Sequence, residues 1–284
     1  MTLAMLTCRR IGIGLAILML CCAALTGSPA RAADRERILA FLDVTGFDVA
    51  LDSIALSTRS VPRMLGVEAD DFGAEWDRVC NEVFAAGLMR SMALDILEQT
   101  LTDTLLRHAA DFYASDLGRR LVVAENQSHM VEDDDAKQAE GTRIVAELVA
   151  DGNARLELLK RMNRAIDAAG TSLHALQQIQ MRFLLAASAA GVVELQMDAE
   201  ELQAMFKAQE GELRRLLQAS ALAGAAYTYR DFSDADLTAY VQALEQPEMM
   251  QVYELLNAVQ YEITADRLEA LAARMADLHP GQDI

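Results

Sequence analysis

The sequence predicts an all-α protein, a helical bundle in which no β-strand is expected. Three observations support this prediction. Helix-forming residues dominate the chain, only four of its 284 residues are proline, and no segment alternates β-branched and polar residues in the way that strands do. Apolar residues instead recur every three or four positions, as they do along the buried face of an amphipathic helix.

Residues 1–32 have the pattern of a secretory signal peptide. Arg9 and Arg10 form a positive start, an uncharged apolar run covers Ile11–Thr26, and Ala30-Arg31-Ala32 is a small-x-small cleavage site. The run is shorter than the ~20 residues that span a bilayer. We therefore expect cleavage before Ala33, export to the periplasm and no stable membrane anchor afterwards; an uncleaved anchor is the alternative.

Capping residues and helix breakers bound the predicted helices of the first half. Gly46 and Pro62 end the first two helices, and Thr102 and Ser115 supply N-cap oxygens for later ones. The acidic stretch Val131–Thr142 is interpreted as either a solvated turn or a continuous polar helix. The predicted helices are Arg35–Val44, Asp48–Arg59, Asp71–Leu97 with a break near Gly87, Asp103–Ala114, Asp116–Met130 and Thr142–Ala150.

The helices of the second half have similar signals. Gly170 ends one helix, and Ser233 with Asp236 forms a variant of the capping box. Pro247 suits the first turn of a helix, where its missing N–H costs nothing. The predicted helices are Asn153–Ala168, Ser172–Ala190, Asp198–Ala223, Asp234–Glu245, Pro247–Glu262 and Asp266–Leu278.

The second half also looks like a diverged copy of the first. At an offset of 131 residues, "LTD" at 101–103 aligns with "FSD" at 232–234, and Asn126 aligns with Asn257. At an offset of 124, "LDVTG" at 42–46 aligns with "IDAAG" at 166–170. We therefore predict two related tandem helical modules, residues 33–156 and 157–284, packed as one bundle.

The charge balance limits the range of partners. The formal net charge is −18, and it becomes more negative if residues 1–32 and their three arginines are removed. Nucleic acids and anionic membrane surfaces both attract clustered Lys and Arg, so we expect neither as a partner. Proteins of the cell envelope or periplasm remain as expected partners.

Cys80 is the only cysteine after residue 32. It shares an apolar helical stripe with Trp76, Val79 and Val83, which favours a buried thiol. The alternative is an intermolecular disulfide.

The best metal-site candidates are His108, Asp111, Glu125 and His129. If their two helices form a hairpin, two imidazoles and two carboxylates would suit zinc or another divalent ion. Scattered surface residues are the simpler interpretation, and we expect no other cofactor.

A resemblance comes from "FYASDLGRRL". Its Phe112, Tyr113, Ser115, Gly118 and Leu121 resemble the F-Y-x-S-x-x-G-x-x-L segment of secreted bacterial proteins in domain-of-unknown-function family 2059. The resemblance implies an all-α envelope protein of a Gram-negative bacterium. It implies no activity, since none is assigned to that family.

No catalytic motif points to an enzyme: the chain has neither a G-x-S-x-G serine nor a glycine-rich phosphate loop. We expect a non-enzymatic binding, scaffolding or accessory protein of the cell envelope. The first alternative is a metal-dependent protein with its site near His108 and His129. The second is a carrier of a lipid or apolar ligand, lined by the small-residue segments Leu184–Met197 and Leu217–Tyr229.

Overall fold

Helices make up most of the protein in its computed structural model, which describes residues 34–56, 61, 74–167, 170–276 and 278. No β-strand occurs among these residues, so the all-α prediction is confirmed. The helices are α1 (Arg35–Thr45), α2 (Phe47–Ser53), α3 (Ala74–Val83), α4 (Ala86–Thr100), α5 (Asp103–Tyr113), α6 (Asp116–His129), α7 (Asp134–Ala150), α8 (Arg155–Ile166), α9 (Ser172–Ala189), α10 (Ala199–Thr228), α11 (Asp234–Leu244) and α12 (Pro247–Met275). The predicted signal peptide lies outside the described residues.

The acidic stretch before residue 142 is mostly helical. Helix α7 begins at Asp134, because the Asp133 side chain accepts the backbone N–H of Ala136 and caps the helix. Asp134 and Asp135 occupy the first turn, where negative charge interacts favourably with the helix dipole. The polar-helix interpretation is therefore correct, and the predicted start at Thr142 is too late.

Helix α12 corrects another boundary. Two helices were predicted over this part of the chain, but one continuous helix runs from Pro247 to Met275. No glycine or proline follows Pro247 within it, and the Thr264 hydroxyl donates to the carbonyl of Gln260 instead of interrupting the helix. This long helix packs against α3, α4, α5, α8, α9 and α11, so it forms the centre of the bundle.

The break predicted near Gly87 is present and falls at Phe84 and Ala85. Upstream of the break, Trp76, Val79 and Cys80 are all buried. The buried interpretation of Cys80 is thus confirmed, and the apolar stripe of α3 faces the core.

Two helical hairpins begin at the predicted caps. Ser115 accepts the backbone N–H of Gly118 at 3.0 Å, which starts α6 directly after α5. Ser233 and Asp236 form the predicted capping box at the start of α11. A Cβ on Gly118 would overlap the carbonyl oxygen of Phe112 and the backbone of Tyr113. Only glycine therefore allows α6 to approach the end of α5 this closely.

Small residues also allow α7 and α10 to pack closely. A Cβ on Gly141 would overlap the carbonyl oxygen of Ala223, and Ala225 and Ala226 are buried in the same stretch of α10. In the other small-residue segment, Ala187 of α9 is fully buried. These alanines belong to the packed core, whereas most other side chains of the two small-residue segments are partly or fully exposed. The lipid-carrier hypothesis stays a prediction.

The described residues, from Asp34 to Leu278, belong to one compact unit. Within it, α1 packs against α5 and α6, much as α8 packs against α11 and α12. Gly46 and Gly170 follow these two corresponding helices and both have left-handed backbone conformations, with φ of 71° and 63°. Asn126 lies against Gly46, and Asn257 donates to the carbonyl of Ile166 at 3.0 Å. The division into tandem modules stays a prediction with which these contacts agree.

None of the described helices combines the length and the apolar character needed to cross a membrane.

Candidate functional site

Four tyrosine hydroxyls and one carboxylate meet inside the bundle. Tyr229 and Tyr240 both donate to Oε1 of Glu125, at 2.7 and 2.9 Å. The hydroxyl of Tyr253 lies 2.9 Å from that of Tyr240, and the hydroxyl of Tyr113 is hydrogen-bonded to that of Tyr253. We call these five residues the tyrosine–glutamate cluster.

The protons of this cluster point in a defined direction. A tyrosine hydroxyl carries one proton, and the proton of Tyr240 is donated to Glu125. The Tyr240 hydroxyl therefore accepts from its tyrosine neighbours, Tyr253 at 2.9 Å and Tyr113 at 3.3 Å. A directed chain of hydroxyls ends at the carboxylate, an arrangement in which each bond polarises the next.

Burial controls the protonation of the cluster. Glu125 is partly exposed as a residue, but its carboxylate is surrounded by the cluster. The resulting desolvation raises the pKa of the carboxyl group, and the hydrogen bonds from Tyr229 and Tyr240 oppose this shift. Burial also raises the pKa of Tyr113, Tyr229 and Tyr240 well above the usual value. These tyrosines therefore stay protonated at neutral pH and can act as donors.

The cluster joins the two halves of the chain. Tyr113 ends α5 and Glu125 belongs to α6, whereas Tyr229 follows α10, Tyr240 lies in α11 and Tyr253 in α12. The ring stacked on Tyr240 also comes from the first half: it is Phe112 of α5, with centroids 5.8 Å apart and planes at 7°. The polar centre of the interface between the halves is thus fixed by directional hydrogen bonds.

The sequence pattern does not predict this cluster. Tyr113 stood out only through the family resemblance, and the other three tyrosines had no predicted role. The chain has six tyrosines, and four of them lie here. Their common position depends on how five separate helices pack, so spacing along the sequence gives no signal for it.

The four metal-site candidates do not come together. Among the described residues, no group of three or more His, Cys, Asp or Glu side chains could hold a metal ion. Glu125 is engaged by tyrosine hydroxyls, Asp111 is exposed on α5 and His129 is exposed in the last turn of α6. The geometry therefore gives the metal-site hypothesis no support.

A surface groove lies beside the first turns of α12. Its volume is about 200 Å³, and apolar walls come from Ile166, Pro247 and Met250. Asp167 and Glu254 add two carboxylates to its lining. We call it the α8–α12 groove. Tyr253 of the cluster belongs to the same turns of α12, so the cluster and the groove share one helical segment.

Hydrogen bonds at two helix ends hold the walls of this groove. The Asn257 amide, which lines the groove, donates to the last carbonyl of α8, that of Ile166, at 3.0 Å. The Asp167 carboxylate accepts the backbone N–H groups of Thr171 and Ser172 at 2.9 and 3.4 Å. The junction between α8 and α9 is therefore attached to α12 before any ligand arrives.

A second groove occupies the corresponding face of α6. At the offset of 131 residues, its lining residues align in order with residues of α12 that line the first groove. These lining residues are Asp116, Arg119, Arg120 and Val123, and their counterparts are Pro247, Met250, Gln251 and Glu254. The two grooves have related positions but different chemistry.

Fold and site together define an all-α protein with a hydrogen-bonded polar centre and a groove on its surface. Residues 88–147 match a family model described as "Uncharacterized protein conserved in bacteria (DUF2059)". This match confirms the resemblance seen at Phe112–Leu121, and the matched segment contains both Tyr113 and Glu125. No curated protein and no solved structure matches the chain.

Proposed function

We propose that this chain is an exported, non-enzymatic binding protein of the bacterial cell envelope, and that it binds its ligand in the α8–α12 groove. The observation that carries the proposal is the groove itself, whose apolar and acidic walls are held by hydrogen bonds from Asn257 and Asp167. A preformed site avoids part of the ordering cost of binding. The signal-like residues 1–32 and the bacterial family match support the proposed location.

Methionine NMR tests this proposal locally. The protein is purified from the periplasm with methyl-¹³C-methionine, and the Met250 resonance is assigned with a Met250→Leu variant. A filtered periplasmic extract is then titrated in. We expect the Met250 resonance to shift and saturate, because this side chain lines the groove. The resonance of Met197, an exposed residue before α10, serves as the internal control and should stay in place.

Two results would count against the proposal. A Met250 resonance that never moves would remove the groove as the binding site. Recovery of the chain only in the cytoplasmic fraction, with residues 1–32 still attached, would remove the envelope location.

A further inference from the structure

We infer that the α8–α12 groove takes a ligand bearing an ammonium or guanidinium group at the end of a short aliphatic chain. This inference rests on the proposed function and specifies the chemistry of its ligand. A free polyamine and a Lys or Arg side chain of a partner share that chemistry.

The size and the walls of the groove fit such a group. Its volume of about 200 Å³ is smaller than the ~300–1,000 Å³ of sites for drug-sized ligands, so it suits one extended chain. Ile166, Pro247 and Met250 offer apolar contact to methylene groups, which long cationic side chains bury while their charged ends stay near polar groups.

The two carboxylates of the groove have no ion-pair partner among the residues that the structure describes. In the described part of the chain, neither Asp167 nor Glu254 forms an ion pair with a basic side chain, although both line the groove. Arg161 lies in α8, the helix that ends just before Asp167, and it pairs with Glu245 at 2.6 Å and not with Asp167 or Glu254. One Asp167 oxygen accepts backbone N–H groups, and a carboxylate keeps further acceptor positions for a ligand.

In the related groove on α6, the charged side chains are paired with each other or with a neighbouring residue. There the aligned positions hold Arg119 and Arg120, and both are paired: Arg119 with Asp116, and Arg120 with Asp236 at 2.6 Å. Arg120 and Ser233 lower the pKa of Asp236 to about 2, so its pair persists across the physiological range. A cationic ligand therefore has a reason to prefer the α8–α12 groove over the related one.

Defined probes test the inference with the full-length exported protein and the same Met250 resonance. The probes are 1,5-diaminopentane, the peptide acetyl-Ala-Lys-Ala-amide, and its uncharged analogue with norleucine in place of lysine. We expect at least one amine probe to shift Met250 and the norleucine peptide to bind at least about fivefold more weakly. Preference for the diamine would indicate a free polyamine, and preference for the lysine peptide would indicate a partner's side chain.

A charge variant gives the matched control. Glu254 is exposed, so Glu254→Gln should fold, and we expect it to weaken amine binding roughly two- to fivefold. Glu248→Gln makes the same charge change on the same helix at a residue that does not line the groove, and should leave binding unchanged. The Asp167 carboxylate is left intact because it accepts the backbone N–H groups of Thr171 and Ser172 at the start of α9.

The outcomes separate the two proposals. Equal binding of the lysine and norleucine peptides, or no effect of Glu254→Gln, would overturn the inference. If the periplasmic extract shifts Met250 and neither amine probe does, the proposed function stands and the inference fails. If neither extract nor probes shift Met250, both fail.

Discussion

The Tyr240 hydroxyl is central to the tyrosine–glutamate cluster, since it donates to Glu125 and accepts from Tyr253. Tyr240→Phe removes this hydroxyl but keeps the ring stacked on Phe112. We expect a loss of about 1–3 kcal/mol in the free energy of unfolding, because buried polar partners lose a hydrogen bond. Urea denaturation followed by circular dichroism measures it.

The control for this variant is Tyr227→Phe. Arg230 lies over the Tyr227 ring, 4.2 Å from its centroid, and the ring remains after the change. We expect an effect within about 0.5 kcal/mol. Equal losses in the two variants would show that the cluster's hydrogen bonds do not stabilise the fold.

The carboxylate of Glu125 gives a pH-dependent test. An unfolded glutamate has a pKa near 4.5, and burial raises the pKa of Glu125 in the folded state. Because its pKa is higher in the folded state, the folded protein binds the Glu125 proton more tightly than the unfolded chain does. The stability that this proton contributes is therefore fully present below the unfolded-state pKa and is lost as the pH rises through the folded-state pKa. Glutamine keeps an acceptor oxygen without a charge.

We therefore expect the stability of Glu125→Gln relative to wild type to increase with pH from about 4.5 upward and then level off. Urea denaturation at several values between about pH 4 and pH 8 measures this difference. Glu248→Gln, an exposed change of the same charge, controls for net charge. A relative stability that falls as pH rises would contradict the raised pKa.

At the scale of helices, the close approach of α5 and α6 depends on Gly118. Gly118→Ala places a methyl group against the backbone of Phe112 and Tyr113, so we expect the free energy of unfolding to fall by about 1–3 kcal/mol or more.

Gly211→Ala is the matched control, because Gly211 is exposed within α10 and nothing lies near its added Cβ. That change should stabilise by about 0.5–1 kcal/mol. Thermal unfolding distinguishes the two outcomes, and a Gly118→Ala variant as stable as wild type would refute the packing argument.

Features that depend on a few neighbouring residues could be predicted from the sequence. The caps at Thr102, Ser115 and Ser233 are of this kind, because each side chain satisfies an N–H three residues away. The predicted break within α12 failed because no local breaker was present, and packing along the whole helix decides its length. The tyrosine–glutamate cluster was missed since its members lie up to 140 residues apart.

At the scale of the molecule, contacts between the predicted halves imply cooperative unfolding. Helix α12 packs against α3, α4 and α5, Arg274 pairs with Glu82 at 2.9 Å, and the cluster spans both halves. We expect Trp76 fluorescence, which reports on α3, and circular dichroism at helical wavelengths to give one coincident urea transition. Tyr240→Phe should move both probes together.

Separate transitions would contradict this. In particular, a Trp76 signal that changes at lower urea than the helical signal would show that the first half unfolds by itself, as independent tandem modules would.

The central claim is that the chain is exported and binds a ligand in the α8–α12 groove. Native mass spectrometry of the protein purified from the periplasm tests it most directly, beside a Met250→Trp variant that fills the groove. We expect a chain that begins at Ala33 and carries an added mass, which the variant lacks. An intact chain that still begins at Met1, or an added mass that Met250→Trp retains, would contradict the account.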